Sequence, residues 1–188
     1  MTEYYPVDRD LRSDCQSRKQ DEYMNIVKHY FGRLPLIEDS VNDLTSYTSQ
    51  MSAYETKNFK QIKIDVYRTQ PEVKLFASQV VQTMLVRLLF VWSMRNPASA
   101  YVQGINDLAA PILMVFLQAF MGLSSFSEEQ LVSRLNHLQL VQIEADTYWC
   151  LTKLVSDIQD NYTEMQPGVH KMLNKMRAIV EQQDSATL

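Results

Sequence analysis

Between Val80 and Phe126 the chain carries only three charged residues, Arg87, Arg95 and Asp107. The spacing there is helical: Val81, Met84, Leu85, Leu88, Val91 and Trp92 recur at intervals of three and four. A helix that is apolar nearly all round cannot lie on a surface. It sits in the middle of a domain and must be covered on several sides. The polar segments to either side offer little apolar surface for that task. The expectation is therefore that the chain either self-associates or forms a piece of a larger helical domain.

The rest of the pattern is also helical, so the fold class read from the sequence is all-α, an irregular multi-helix bundle. From Arg12 to Arg33, apolar residues at Tyr23, Ile26, Val27, Tyr30 and Phe31 mark one helix face, and Gly32 and Pro35 stop it. A second, more polar helix is expected over Asp43 to Lys60, with Leu44, Tyr47, Met51, Tyr54 and Asn58 on one side. In QIKIDVYRTQP, residues Ile62, Ile64 and Val66 alternate as in a strand and Pro71 closes the run, which reads as an extended connection. A third helix is predicted from Glu72 or Ser78 to Arg95, ended by Asn96-Pro97.

A fourth is predicted from Gln103 to Phe120, kinked or split by Pro111. Ser127 to Gln130 has the spacing of a capping box. Leu151, Leu154, Val155 and Ile158 place a helix within Leu140 to Tyr162, and Pro167 opens the last one at a favoured first-turn position.

Composition excludes several functions. Apolar residues make up 46% of 188 residues and charged ones 21%, enough for the core of one domain. Lysine and arginine total 18 against 22 aspartate and glutamate, a net charge of −4, so a general nucleic-acid or anionic-membrane binder is not expected. The four glycines, Gly32, Gly104, Gly122 and Gly168, stand far apart, and neither a P-loop nor a Rossmann fingerprint can be built from them. The longest apolar run, Leu108 to Leu123, is broken by Pro111 and Gln118 and falls short of the ~20 residues that span a bilayer. MTEYYPVDRD has no secretory character. Two cysteines, Cys15 and Cys150, fit a reducing compartment.

Metal and nucleophile motifs come out empty. His29, His137 and His170 lie in unrelated segments, and there is no CxxC or HExxH. Cys150 reads as a core thiol with nothing nearby to lower its pKa. Glu128-Glu129 reads as helix-start charge, and Asp157 with Asp160 as a solvated face with too few oxygens for calcium. No metal site is expected.

Two segments do not reduce so easily: Ile62 to Thr69, and Tyr101 to Asp107. Taken singly, Arg68 reads equally as a surface residue paired with Asp65, and Gln103 as a helix-start side chain before a packing glycine. Together, IxxDxxRT (Ile62, Asp65, Arg68, Thr69) and YxQG (Tyr101, Gln103, Gly104), with Gln103 35 residues after Arg68, resemble the TBC domain of Rab GTPase-activating proteins. RNPASAYVQGINDLAAPILMVFLQAF and IEADTYWCLTKLVSDIQDNYTEMQPGV extend the likeness, which is strongest to the member-22 group and covers about Tyr23 to Val169.

The resemblance also implies what is missing. The family's RxxxW segment has no counterpart here, the first tryptophan being Trp92, and Tyr4-Tyr5-Pro6 is similar to the stretch just downstream of that segment. After Met165-Gln166-Pro167-Gly168 the family continues into a second helical half, whereas this chain ends at Leu188. Residues 1–188 are thus expected to be the N-terminal subdomain of such a domain. The surface normally covered by the C-terminal half would be open to self-association.

By the same resemblance, Arg68 is an arginine finger and Gln103 a glutamine finger, acting in trans on a Rab-type small GTPase in vesicle traffic. Hydrolysis of GTP needs the attacking water oriented and the spreading phosphate charge neutralised. A planar, always-charged guanidinium suits the second task, and an amide that both donates and accepts suits the first. Asp65, Thr69, Tyr101 and Asn106 are the implied supports, and Gly104 lets the backbone approach closely. GTP and Mg²⁺ would arrive with the partner, and no cofactor of its own is expected. The location implied is cytoplasmic, peripheral to Golgi or secretory membranes. A competing reading is a non-catalytic helical module that binds a small GTPase or an adaptor.

Overall fold

The computed structural model describes residues 8, 10–33, 40–97, 99–122, 127, 130–131, 134–156, 158 and 167–183. Among these, all regular structure is helical: α1 (Asp10–Phe31), α2 (Val41–Ser46), α3 (Ala53–Tyr67), α4 (Gln79–Arg95), α5 (Ile105–Met121), α6 (His137–Ser156) and α7 (Pro167–Gln183), with short 3-10 turns at Tyr47–Gln50 and Lys74–Ala77. The acidic pairs Glu128-Glu129 and Asp157/Asp160 lie outside the described residues, as do Pro35, Tyr4-Tyr5-Pro6 and Met165-Gln166.

The charge-poor segment forms the axis of the bundle. Every residue of α4 from Thr83 to Ser93 is buried, and α1, α2, α3, α5 and α6 all pack against this helix. Phe90 shows how the layers meet: its ring lies edge-on to Tyr30 and Phe31 of α1 and to Phe59 of α3, with centroids 5.9, 5.6 and 5.6 Å away. Such pairs add about 0.5–1.5 kcal/mol each beyond the area they bury.

One buried polar cluster crosses this core. Arg87 of α4 grips Glu144 of α6 through Nε–Oε1 at 2.8 Å and Nη2–Oε2 at 2.5 Å, and the Tyr23 hydroxyl of α1 donates to the same Oε1 at 2.5 Å. All three residues are buried. Burial, with the Glu144 carboxylate beside it, pushes the Tyr23 phenol well up, so it stays a neutral donor. A second α1–α6 contact joins Gln16 and Gln20 to Asp146 at 2.8 and 3.1 Å.

Two sequence expectations are corrected here, and a third is narrowed. The stretch Asp43 to Lys60 is not one helix, because Ser52 starts a new one: its hydroxyl accepts from the Glu55 N–H at 3.3 Å while the Glu55 carboxylate accepts from the Ser52 N–H at 2.7 Å. The segment read as extended is the C-terminal half of α3. Ile62 and Val66 are buried whereas Ile64 is 56% exposed. That is the phase of a helix, since a strand would put all three on one face. Of the two outcomes expected at Pro111, the split does not occur, since α5 runs unbroken from Ile105 to Met121. The proline lies on the exposed side, as does Asp107, whose carbonyl loses its i+4 donor to the proline ring and has water at hand instead.

Two expectations about helix starts hold. The capping box at Ser127 and Gln130 forms, with bonds of 2.9 and 3.3 Å, and α7 opens at Pro167. His29, His137 and His170 are exposed on three different helices. Cys150 is half-buried, and burial pushes its thiol up. Among the described residues, two helices leave apolar side chains exposed. Val115 and Phe120 of α5 are exposed, and α7 buries none of its side chains, presenting Met172, Leu173, Met176, Ile179 and Val180 outward. Among the described residues no helix is long and apolar enough to cross a membrane, and no cluster of His, Cys, Asp and Glu could hold a metal ion.

Candidate functional site

Helix α3 ends at Asp65-Val66-Tyr67, and Arg68 is its C-cap, with φ −104° and ψ 2°. Helix α5 begins after Gly104, whose φ of +102° closes the turn that carries Gln103. A side chain disfavours that backbone angle, which is why glycine stands there. A Cβ at Gly104 would meet nothing of this chain within 4 Å. The packing of α3 against α5 brings the two loops together, so Arg68, Gln103, Gly104, Asn106 and Asp107 line one polar cleft of about 520 Å³. Segments far apart in sequence thus meet at one place.

Asp65 organises the first loop. It is wholly buried, and its Oδ1 accepts from Arg68 Nη2 at 2.5 Å and from Gln61 Nε2 at 3.1 Å. Its Oδ2 accepts from the Tyr101 hydroxyl at 3.0 Å, across to the second loop. Burial, with Asp65 beside it, pushes the Tyr101 phenol far above its ordinary range, so Tyr101 remains a neutral donor. Arg68 is held at one end only: its side chain is still 53% exposed, free to present its remaining N–H groups to whatever enters the cleft. Gln103 is exposed as well.

Asn106 ties the loops from the other side. Its Oδ1 accepts from the Gly104 N–H at 3.1 Å, and its Nδ2 donates to Thr69 Oγ1 at 2.8 Å and to Asp107 Oδ1 at 3.1 Å. The amide has a single workable orientation, because Gly104 N–H can only donate and the Asp107 carboxylate can only accept. Thr69 passes its own proton to the Asp65 carbonyl at 2.9 Å. Two hydrogen bonds therefore bridge the loops, Tyr101 to Asp65 and Asn106 to Thr69, and Thr69 in turn holds the Asp65 carbonyl.

Backbone strain marks the same two loops. Among the described residues, the non-glycine positions with positive φ are Gln70 (46°) and Ala100 (53°). Gln70 follows Thr69, and Ala100 precedes Tyr101. Such conformations cost of order 1–3 kcal/mol each and persist where the surroundings hold them. Every residue singled out in the sequence (Asp65, Arg68, Thr69, Tyr101, Gln103, Gly104 and Asn106) is brought to this one place. Two participants were missed. Gln61 could have been found from its i,i+4 spacing to Asp65, and Asp107 as the one charge beside the YxQG motif.

Chemically, the cleft offers one guanidinium with spare donors, one exposed amide and a rigid backing. It lacks a lysine or a glycine-rich loop that would hold a nucleotide on its own, so the arrangement suits the completion of a site carried by another molecule.

Comparison with known proteins agrees with this layout. The Rab-GTPase-TBC domain model matches residues 25–188. The chain is 36% identical over 188 residues to TBC1 domain family member 22B of Homo sapiens, covering 98% of this chain and 33% of that protein. It is 33% identical over 185 residues to GTPase-activating protein GYP1 of Saccharomyces cerevisiae, covering 97% of this chain and 26% of that protein. The fold superposes on the crystal structure of the Ypt/Rab-GAP domain of Gyp1p with a TM-score of 0.75 at 32% identity, over 98% of this chain and 53% of that one. The chain thus spans about a third or less of these curated relatives, 33% and 26%. It belongs to the Rab-GTPase-TBC domain family.

Proposed function

We propose that this chain carries the catalytic half of a GTPase activator for a Rab-type small GTPase, with Arg68 and Gln103 supplied in trans. The observation that carries the reading is the shared cleft: an exposed guanidinium and an exposed amide, from loops pinned to each other by Asp65, Tyr101, Thr69 and Asn106. GTP and Mg²⁺ belong to the partner.

In this reading Arg68 lays its free N–H groups on the phosphate oxygens as charge spreads over them during transfer, and Asp65 keeps the other end of the guanidinium fixed. Gln103 orients the attacking water, donating through its amide nitrogen and accepting through its oxygen. The two bridges behind them, Tyr101 to Asp65 and Asn106 to Thr69, remove freedom that would otherwise have to be frozen when the partner binds. An arginine finger contributes ~10³–10⁵ in rate in other GTPases, roughly 4–7 kcal/mol of barrier. The setting would be the cytoplasmic face of endomembranes, in vesicle traffic.

The test is single-turnover GTP hydrolysis by a panel of Rab proteins with the chain added as wild type, Arg68→Ala or Gln103→Ala. Acceleration by the wild type that is lost in both variants supports the reading. Binding without acceleration, indifferent to both substitutions, would replace it with a non-catalytic binding module.

A further inference from the structure

A second cleft, sharing no residue with the first, opens beside α1. It measures about 520 Å³ and is lined by Glu22, Asn25, Ile26, His29 and Tyr30 of α1 together with Arg95, the last residue of α4. The α1 positions recur at intervals of three and four and form one stripe of that helix. The size is that of small-molecule sites, which combine apolar walls with a few convergent polar groups. Ile26 packs against the core, and the Tyr30 ring stands edge-on to Phe90 at 5.9 Å and to His29 at 5.1 Å. The charges of the cleft are unequally compensated. The Glu22 carboxylate accepts from Lys19 Nζ at 3.0 Å, and Lys19 lies over the Trp149 ring, 3.8 Å from its centroid. Burial pushes the Tyr30 phenol up, opposed by Arg95 and reinforced by Glu55, so both charges stand near it. Glu55, however, is engaged by the Ser52 N–H at the start of α3. Among the described residues no carboxylate pairs with Arg95, and the side chains of Asn25 and Tyr30 donate to no partner.

We propose that this cleft binds a monocarboxylate on an apolar body, with the acid taken by Arg95, Asn25 and Tyr30 and the body laid on Ile26 and the Tyr30 ring. A guanidinium presents a planar fork that meets a carboxylate through two parallel bonds. A phosphate monoester carries close to two negative charges at neutral pH and so meets more repulsion from Glu22. A cation would have to draw Glu22 away from Lys19 while facing Arg95. The same carboxylate chemistry belongs to a free organic acid and to a peptide that ends on an apolar residue. The site stands apart from the reading of Arg68 and Gln103, and neither depends on the other.

The experiment is an NMR titration of the isotope-labelled 188-residue chain with 3-phenylpropionate, followed at the Asn25 side-chain amide and the Arg95 Nε–H. Saturable shifts at both, half-complete at about 1–10 mM, are expected for an acid of this size. The uncharged 3-phenylpropionamide and the cationic 3-phenylpropylamine should bind about tenfold more weakly or worse, and phenyl phosphate should also bind more weakly. Arg95→Gln should lose about tenfold, and Asn25→Asp, which adds a carboxylate to the cleft, should lose at least as much. Both positions are exposed, and an unchanged thermal melt by circular dichroism establishes that each variant is folded. N-acetyl-glycyl-phenylalanine separates the two sources: tighter binding than 3-phenylpropionate assigns the cleft to a peptide terminus, and weaker binding assigns it to a free acid. The proposal is overturned by the absence of saturable shifts, by an amide or phosphate that binds as well as the carboxylate, or by Arg95→Gln binding as wild type does.

Discussion

Removing the Glu144 carboxylate should come close to unfolding the domain. In Glu144→Ala, Arg87 keeps its charge at 4% exposure with its bidentate partner gone. Breaking a buried ion pair from one side costs about 3–5 kcal/mol. The Tyr23 hydroxyl, at 0% exposure, loses its acceptor as well, which adds about 1–3 kcal/mol. A sum of roughly 4–8 kcal/mol compares with a total stability of about 5–15 kcal/mol for a typical domain.

The same reasoning predicts recovery when the whole cluster is made apolar. Arg87→Met, Glu144→Leu and Tyr23→Phe together bury no unpaired group, and the triple variant should fall within about 2 kcal/mol of wild type. Urea unfolding followed by the fluorescence of Trp92 and Trp149 reads both. At a denaturant slope of about 1–3 kcal/mol per molar, the Glu144→Ala midpoint should drop by about 1.3 M or more. A midpoint within about 0.5 M of wild type, or a triple variant no better than the single one, would refute the argument that the Glu144 carboxylate governs the stability of this buried cluster.

Gly104→Val should lose stability and cleft geometry together, because a β-branched residue resists φ of +102°. Gly104→Asn should lose less, and thermal melts rank the two. Asp146 gives a pH dependence. Burial raises its pKa from the ordinary 3.8, so the folded state favours the protonated form. Its contribution to stability is greatest below the ordinary value and is lost as pH rises through the raised one. Asp146→Asn should flatten that stretch of the stability–pH curve, and an unchanged curve would sink the assignment. Thr69→Val removes the acceptor of the Asn106 Nδ2 bond at 2.8 Å. Amide exchange at Gly104 should then quicken although the mutated residue lies on the other loop, and protection equal to wild type would show the loops to be independent.

How much could be read beforehand depends on where the information sits. The central helix was legible because α4 is apolar on every side, and a pattern with no polar face has one place to go. The cleft was legible because its residue types are chemically specific and recur as two spaced motifs. The phase of Ile62, Ile64 and Val66 was misleading: β-branched alternation favours a strand locally, yet burial of Phe59, Ile62 and Val66 on one helix face overrides it. The start of α3 was present in the sequence all along as Ser52-x-x-Glu55.

The strained angles at Gln70 and Ala100 had no such marker, since neither residue type announces a positive φ. They are imposed by the hydrogen bonds around them. Nor could spacing reveal that Arg68 would be tied at one end and open at the other. That depends on Asp65 being buried and also engaged by Gln61 and Tyr101, which is a property of the packed α3–α5 contact.

The central claim is that Arg68 and Gln103 act as one unit across the cleft. It is tested most directly by the saturating single-turnover rate of an accelerated Rab protein with wild type, Arg68→Ala, Gln103→Ala and the double variant. Groups that serve the same transition state are strongly non-additive. The account predicts that each single variant loses most of the acceleration, about 10³-fold or more for Arg68→Ala, and that the double variant is little worse than the poorer single one. Losses that simply multiply, or a Gln103→Ala variant as fast as wild type, would contradict it.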